Sequence, residues 1–386
     1  MPQRPADDSA PPRGPIPSHV SRRGFIGFCA AIAAALALPE AMVTRAVAAG
    51  HRLPVVWLGL QDCTGDTESF LRAVDPGVAE LLFDVISLDY HESLMAAAGE
   101  RTAENLTKAL AGKDYVCIVE GSIPTADDGV HCVINGETAL SLVRRVVPGA
   151  LFTIAAGSCA VDGGIAAAAP NPTKAVGIAQ AVPDIGKWMS MPGCPLNGMN
   201  LVAAIVNYLA TGQLPALDAE MRPTFAYGQK VHGTQRCERF DNLRAGQRVK
   251  EWGDEGHRKG WCLIDMGCRG PSTFANCYQR NWNSGSWPVG TGATCIGCTT
   301  KGFWDKNTPF FAHATTPSPS PSPSTSPSGS TSSSTPPATP ATPATPTTGP
   351  ATTDPGKTPG RTAAPDRRRS RRTKRSNTAD AVEVPA

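Results

Sequence analysis

Past its first fifty residues, the 386-residue chain has no long hydrophobic run. No stretch of eighteen or more apolar residues follows, which excludes a membrane-spanning helix there, including a C-terminal one. A basic body is missing too. Formal net charge is +3, yet seven basic residues fall in Arg367–Arg375 alone, which leaves the remainder at −4. A mildly acidic body excludes nucleic acid as its partner. From Thr315 to Thr353 there is nothing but Ser, Thr, Pro, Ala and Gly. Such a segment cannot bury enough apolar surface to fold, so residues 314–386 read as a disordered tail with a solvated basic end. What the chain has in quantity is cysteine. Of twelve, eleven lie between residues 50 and 313. That usage implies metal or disulfides.

Residues 1–49 read as an export leader. Ser21-Arg22-Arg23-Gly24-Phe25-Ile26 is a twin-arginine pattern, followed by the apolar stretch 25–38 and by small residues in Ala46-Val47-Ala48-Ala49. A positive region, a short apolar region and an A-x-A-like site together describe a bacterial signal rather than a spanning helix. The competing reading is a disordered start followed by a buried helix. Export by this route delivers a folded protein to the periplasm or cell envelope, outside the cytoplasmic membrane. A passenger exported folded is better placed to hold its thiols on metal than to oxidise them later. Cys29 falls inside the leader.

Residues 50–214 alternate short apolar runs with Gly-containing loops and helix-like stretches. The runs are 55–60, 85–88, 115–119 and 151–155. Strands alternating with helices predict a parallel α/β sheet. Ligands gather at the carboxyl ends of such strands, and Cys63 and Cys159 fall just past two of them. Asn197 and Gly212 bracket a predicted helix over 199–210, with Cys194 in the loop before it. Residues 215–313 are rich in Gly, Pro, Trp and Cys and show little periodicity. They cannot easily bury a core of their own, and the density of Cys suggests what holds them.

The cysteines fall into three groups: Cys63, Cys159 and Cys194; Cys237, Cys262 and Cys268, with His232 just before; and Cys277, Cys295 and Cys298, the last two as Cys-Ile-Gly-Cys. Tetrahedral zinc wants four N or S ligands, and the last group has three Cys. Three-thiolate groups suit iron–sulfur clusters. Disulfides compete for the same residues, although eleven is odd. That alternative is an exported, disulfide-stapled binding protein without metal, its tail a stalk.

Over about 53–305 the sequence resembles the small, electron-transferring subunit of a nickel–iron hydrogenase. The resemblance rests on Val56-Trp57-Leu58 through Cys63-Thr64-Gly65, on Ser87-Leu88-Asp89-Tyr90-His91-Glu92-Ser93-Leu94-Met95, on Val119-Glu120-Gly121-Ser122-Ile123-Pro124, on Gly157-Ser158-Cys159-Ala160 and on Met191-Pro192-Gly193-Cys194-Pro195. Distally it rests on Gly260-Trp261-Cys262, Gly267-Cys268-Arg269-Gly270-Pro271, Asn276-Cys277, Cys295-Ile296-Gly297-Cys298 and Phe303-Trp304-Asp305. It implies a flavodoxin-like domain over 50–214 carrying a proximal cluster, and an irregular iron–sulfur domain over 215–313 carrying medial and distal clusters.

By position, Cys63, Cys159 and Cys194 match proximal ligands, His232, Cys237, Cys262 and Cys268 distal ones, and Cys277, Cys295 and Cys298 medial ones. Pro288 stands where some relatives have a fourth medial Cys, so a 3Fe-4S medial and a 4Fe-4S distal cluster are implied. His232 departs from the pattern, with four residues before the next ligand Cys where the family usually has two. Cys117 and Cys132 match no ligand position and read as inert thiols. Asp66 stands where the family has a thiolate, in Cys63-Thr64-Gly65-Asp66. It either binds the fourth iron of a 4Fe-4S proximal cluster through oxygen, as in actinobacterial-type uptake members noted for tolerating oxygen, or leaves that cluster with three irons. Two extra Cys, the other device for oxygen tolerance, are absent, their positions being Gly65 and Gly164. The resemblance further implies an obligate heterodimer with a large subunit that holds the nickel–iron site, no catalytic residue in this chain, and an electron acceptor the sequence does not name.

Overall fold

The computed structural model describes residues 52–310, apart from 74–77, 79–80, 234–236, 280–281 and 286, together with 27–48 except 28, 31, 35 and 37. The twin-arginine pattern and the Ser/Thr/Pro tail lie outside the described residues.

Five parallel strands form the sheet: β1 (Leu53–Gly59), β2 (Ile86–His91), β3 (Val116–Glu120), β4 (Phe152–Ala156) and β5 (Trp188–Met191). Their order is β2-β1-β3-β4-β5, the flavodoxin-like winding, whose switch point lies between β1 and β3. There Val55 pairs with Val116, Trp57 with Ile118 and Gly59 with Glu120. β3 is buried along its whole length, as a central parallel strand covered on both faces should be. Side-chain alternation splits its neighbours between two cores. Val55, Trp57, Ile118 and Ile154 face one, while Val56, Leu58, Cys117 and Val119 face the other.

Helices close both faces: α1 (Glu40–Ala48), α2 (Gly65–Leu71), α3 (Glu100–Gly112), α4 (Ala139–Val146), α5 (Gly157–Asp162) and α6 (Gly198–Thr211). α6 is nearly all apolar, and Leu201 to Val206 are buried, so it sits between the sheet and other chain rather than at the surface. Its ends carry the expected caps. Asn197 Oδ1 accepts the Met199 N–H at 3.0 Å, and Gly212, at φ +68°, ends the helix. Gly198 is needed where α2 crosses, because a Cβ there would collide with the Ser69 carbonyl. Part of the expected leader packs as well. α1 lies against α6, and Cys29, Ile32 and Val43 join the same apolar core.

Beyond residue 214, regular structure gives way to single helical turns and isolated bridges. Among the described residues the apolar cluster there has seven buried members, and Cys237, Cys268, Cys277 and Cys295 pack against it. Buried polar side chains supply much of the remaining order. Arg239 donates to the carbonyls of Val289 and Trp261, both at 2.9 Å. Asn200 of α6 and Asn276 exchange two hydrogen bonds of 2.8 and 2.9 Å, joining this region to the sheet.

Candidate metal centres

At the carboxyl ends of β1, β4 and β5, Cys63 lies in the loop entering α2, Cys159 in α5 and Cys194 in the loop entering α6. They share one site with Asp66. Burial, then the charges of Asp66 and Cys194, push the Cys159 thiol up to about 12. Burial with Asp66 and Cys63 pushes Cys194 to about 11. Asp66 is itself buried, and burial and then Glu120 hold its carboxyl well above the usual range. One of its oxygens accepts the Leu196 N–H at 2.6 Å. Gly157 leaves room for the other: at φ +76° it carries no Cβ, and one there would collide with the Asp66 carboxylate. A Cβ on Gly164 would likewise strike the Cys159 sulfur.

The segment carrying Cys63 and Asp66 is held from below by Glu120, at the end of β3. The Glu120 carboxylate accepts the N–H groups of Asp66 (2.9 Å) and Thr67 (3.1 Å), the Trp57 indole N–H (3.0 Å) and the Thr67 hydroxyl. Behind Thr67 stands His91, whose Nε2 lies 3.1 Å from that hydroxyl. His91 Nδ1 accepts the Ser93 N–H, so Nε2 carries the proton, and burial lowers the imidazole to about 4. Trp57, His91 and Glu120 belong to the segments that carry the family resemblance, but nothing in a linear pattern says that they converge. The one signal of it in the sequence is a charged residue ending an otherwise apolar strand.

Cys277, Cys295 and Cys298 gather next to this site. Burial and then Cys295 raise Cys277 to about 12, and burial with Cys277 raises Cys298 to about 12. Cys295 is raised by burial, then by Cys268 and Cys298. Cys268 belongs to the last group. With Cys237, Cys262 and His232 it lines one small cavity. Burial, then neighbouring thiols, push Cys237 to about 11. His232 Nε2 is buried and has no hydrogen-bond partner, and burial lowers its pKa. A buried, unpartnered imidazole nitrogen on a residue that lines one cavity with three thiols suits a metal ligand. The groups therefore stand in series: Cys194 neighbours Cys298, and Cys295 neighbours Cys268.

These donors fit iron–sulfur clusters. Packed thiols whose thiolates burial opposes need positive charge among them. Among the described residues no three His, Cys, Asp or Glu side chains close around a single ion. All twelve cysteines are free, so the disulfide reading finds no pair. Cys117 is fully buried in β3 and Cys132 lies half-buried in a turn, both apart from the three groups.

Fold and donors together define an electron-carrying protein that strings thiolate-held metal centres along an α/β scaffold. Residues 227–311 match the C-terminal family of the NiFe/NiFeSe hydrogenase small subunit, and residues 63–208 match the family described as NADH ubiquinone oxidoreductase, 20 Kd subunit. The periplasmic [NiFe] hydrogenase small subunit 1 of Nitratidesulfovibrio vulgaris is 44% identical over 297 residues, 76% of this chain and 93% of its own. The reduced, active Ni-Fe-Se hydrogenase of Desulfomicrobium baculatum superposes with a TM-score of 0.63 at 32% identity, covering 68% of this chain and 100% of that one. The actinobacterial-type NiFe-hydrogenase of Ralstonia eutropha H16 gives 0.61 at 26% identity, covering 68% and 82%. The chain belongs to the small subunits of nickel–iron hydrogenases, the electron-transferring, iron–sulfur-carrying half of that heterodimeric enzyme.

Proposed function

We propose that this chain carries electrons from hydrogen oxidation at a partner large subunit, through three iron–sulfur centres, to an external acceptor. The observation that carries the reading is the serial arrangement of the donor groups, each sharing a neighbour with the next. In this reading Cys63, Cys159, Cys194 and Asp66 hold the proximal centre. Cys277, Cys295 and Cys298 hold the medial one, and His232, Cys237, Cys262 and Cys268 the distal one. When bound, such clusters supply reversible one-electron storage. The chain's own residues contribute burial, the amide and hydroxyl hydrogen bonds that set ligand position, and the polarity around each sulfur. Residues 50–214 form the domain of the proximal site and 215–313 that of the other two.

The nickel–iron site belongs to the large subunit, so no residue here is assigned a catalytic role. Among the described residues no helix is long and apolar enough to cross a membrane. The relative from Nitratidesulfovibrio vulgaris is named as periplasmic, which supports export of this chain, and Arg22-Arg23 points to the twin-arginine route. Replacing both by Lys should retain the complex in the cytoplasm; unchanged export removes that route. The central test is iron and acid-labile sulfide analysis of the purified complex, with nickel assayed in the partner. A brown protein with nickel alongside is expected. A colourless, iron-free chain would sink the reading.

A further inference from the structure

Ser158 precedes the proximal ligand candidate Cys159 and is buried. Its backbone N–H donates to the Gly193 carbonyl at 2.8 Å, and its hydroxyl accepts the Gly193 N–H at 3.0 Å, which fixes the loop that carries Cys194. The same hydroxyl donates to the carbonyl of Cys298, a medial ligand candidate, at 2.6 Å across 140 residues of sequence. The side chain thus touches the support of Cys194 and the backbone of a medial ligand candidate, while its own backbone adjoins Cys159. Beside it, Cys194 neighbours Cys298.

The junction between the medial and distal groups repeats the pattern. Arg269, next to Cys268, donates its N–H to the Cys295 carbonyl at 2.7 Å. Cys295 neighbours Cys268. Each junction therefore has a direct link in which a residue flanking a cysteine of one group donates to a cysteine carbonyl of the next. At the first junction that link is the Ser158 hydroxyl, which a substitution can delete cleanly; at the second it is a backbone N–H, beside a Thr273 hydroxyl that accepts from the Cys295 thiol and donates to the Arg269 carbonyl.

We propose that Ser158 is a positioning residue that splices the proximal and medial centres, its hydroxyl giving electrons a hydrogen-bonded route between them and fixing their separation. The inference rests on the ligand reading above. One electron leaves the reduced proximal side and arrives at the oxidised medial side. No bond is made or broken and no proton moves, and the electron originates in hydrogen oxidation at the partner.

The experiment uses the assembled heterodimer as wild type, Ser158→Ala and Ser158→Thr. Iron and sulfide content is measured first, then reduction of each centre after mixing with hydrogen, followed by freeze-quench EPR. Ser158→Ala should keep its iron and fill the proximal centre at the wild-type rate, but fill the medial one several-fold more slowly. Ser158→Thr, which keeps the hydroxyl, should restore the medial rate. A merely structural role would lower iron content or disturb both centres alike, and would overturn the splice. Full iron with an unchanged medial rate in Ser158→Ala also overturns it. Wild type without iron overturns the ligand reading instead.

Discussion

Around Cys63, Cys159 and Cys194 the ligand candidates hang from the ends of buried parallel strands, whereas Cys237, Cys262 and Cys268 hang from loops with almost no regular structure. The sheet region has two extensive apolar cores, while the apolar cluster described in the distal region has seven buried residues packed partly on cysteine. In the first, hydrophobic burial pays for the order and the metal site inherits rigid positions. In the second, the donors are much of what there is to pack, so metal and fold should depend on each other.

The sharpest break of this comparison is to withhold iron. Hydrogen exchange on the metal-free chain should show protection lost across residues 227–310 and kept in β1, β3 and β4. Equal loss in both regions would show that the sheet also depends on metal.

Within the sheet region, Asp66 decides whether a rigid scaffold can carry an oxygen ligand. A hard oxygen donor favours the ferric state more than a thiolate does. Asp66→Cys should keep a four-iron proximal centre with a changed potential, and Asp66→Ala should convert it towards three irons or lose it. Unaltered EPR type, potential and oxygen response in Asp66→Ala would mean that Asp66 is not a ligand.

Glu120 tests whether rigidity comes from the strand end itself. Glu120→Gln turns one acceptor oxygen into a donor beneath Asp66, Thr67 and Trp57. Hydrogen bonds to a charged group contribute about 1.5–3 kcal/mol each, so a loss of roughly 3 kcal/mol is expected by denaturant titration. The distal EPR signal should stay unchanged. A distal change accompanying it would blur the distinction between the two regions.

The smallest effect concerns Glu92, at the edge of the sheet region. Burial pushes its carboxyl up to about 7, with the Gly59 N–H acting the other way. Between pH 4.5 and 7 the folded chain holds a proton that the unfolded chain has released, so stability falls as pH rises through that window. Asp62, raised by burial to about 6, adds to the same slope. Glu92→Gln should flatten the decline by on the order of 1–2 kcal/mol between about pH 5 and pH 7. An unchanged slope would assign it to Asp62 and other groups.

Much of this was legible locally. The apolar runs at 55–60, 115–119 and 151–155 became β1, β3 and β4, and Asn197 and Gly212 became the caps of α6, because strand burial and helix capping act over a few residues. The small-subunit family was legible too, in ordered motifs around cysteine. That α1, within the expected leader, would pack on α6 was not, since an apolar stretch reads alike in a signal and in a core. Nor was Glu120, whose partners lie 53 and 63 residues away.

The sequence by itself determined where the strands and caps fall and which cysteines are candidates to bind metal. Tertiary structure decided which donor meets which. Strand order β2-β1-β3-β4-β5 brings the ends of β1, β4 and β5 to one edge. Packing of the irregular region against that edge then sets the Ser158 hydroxyl on the Cys298 carbonyl. Propensity and capping are properties of neighbouring residues, whereas a hydrogen bond across 140 residues exists only once the sheet has closed and both faces are buried.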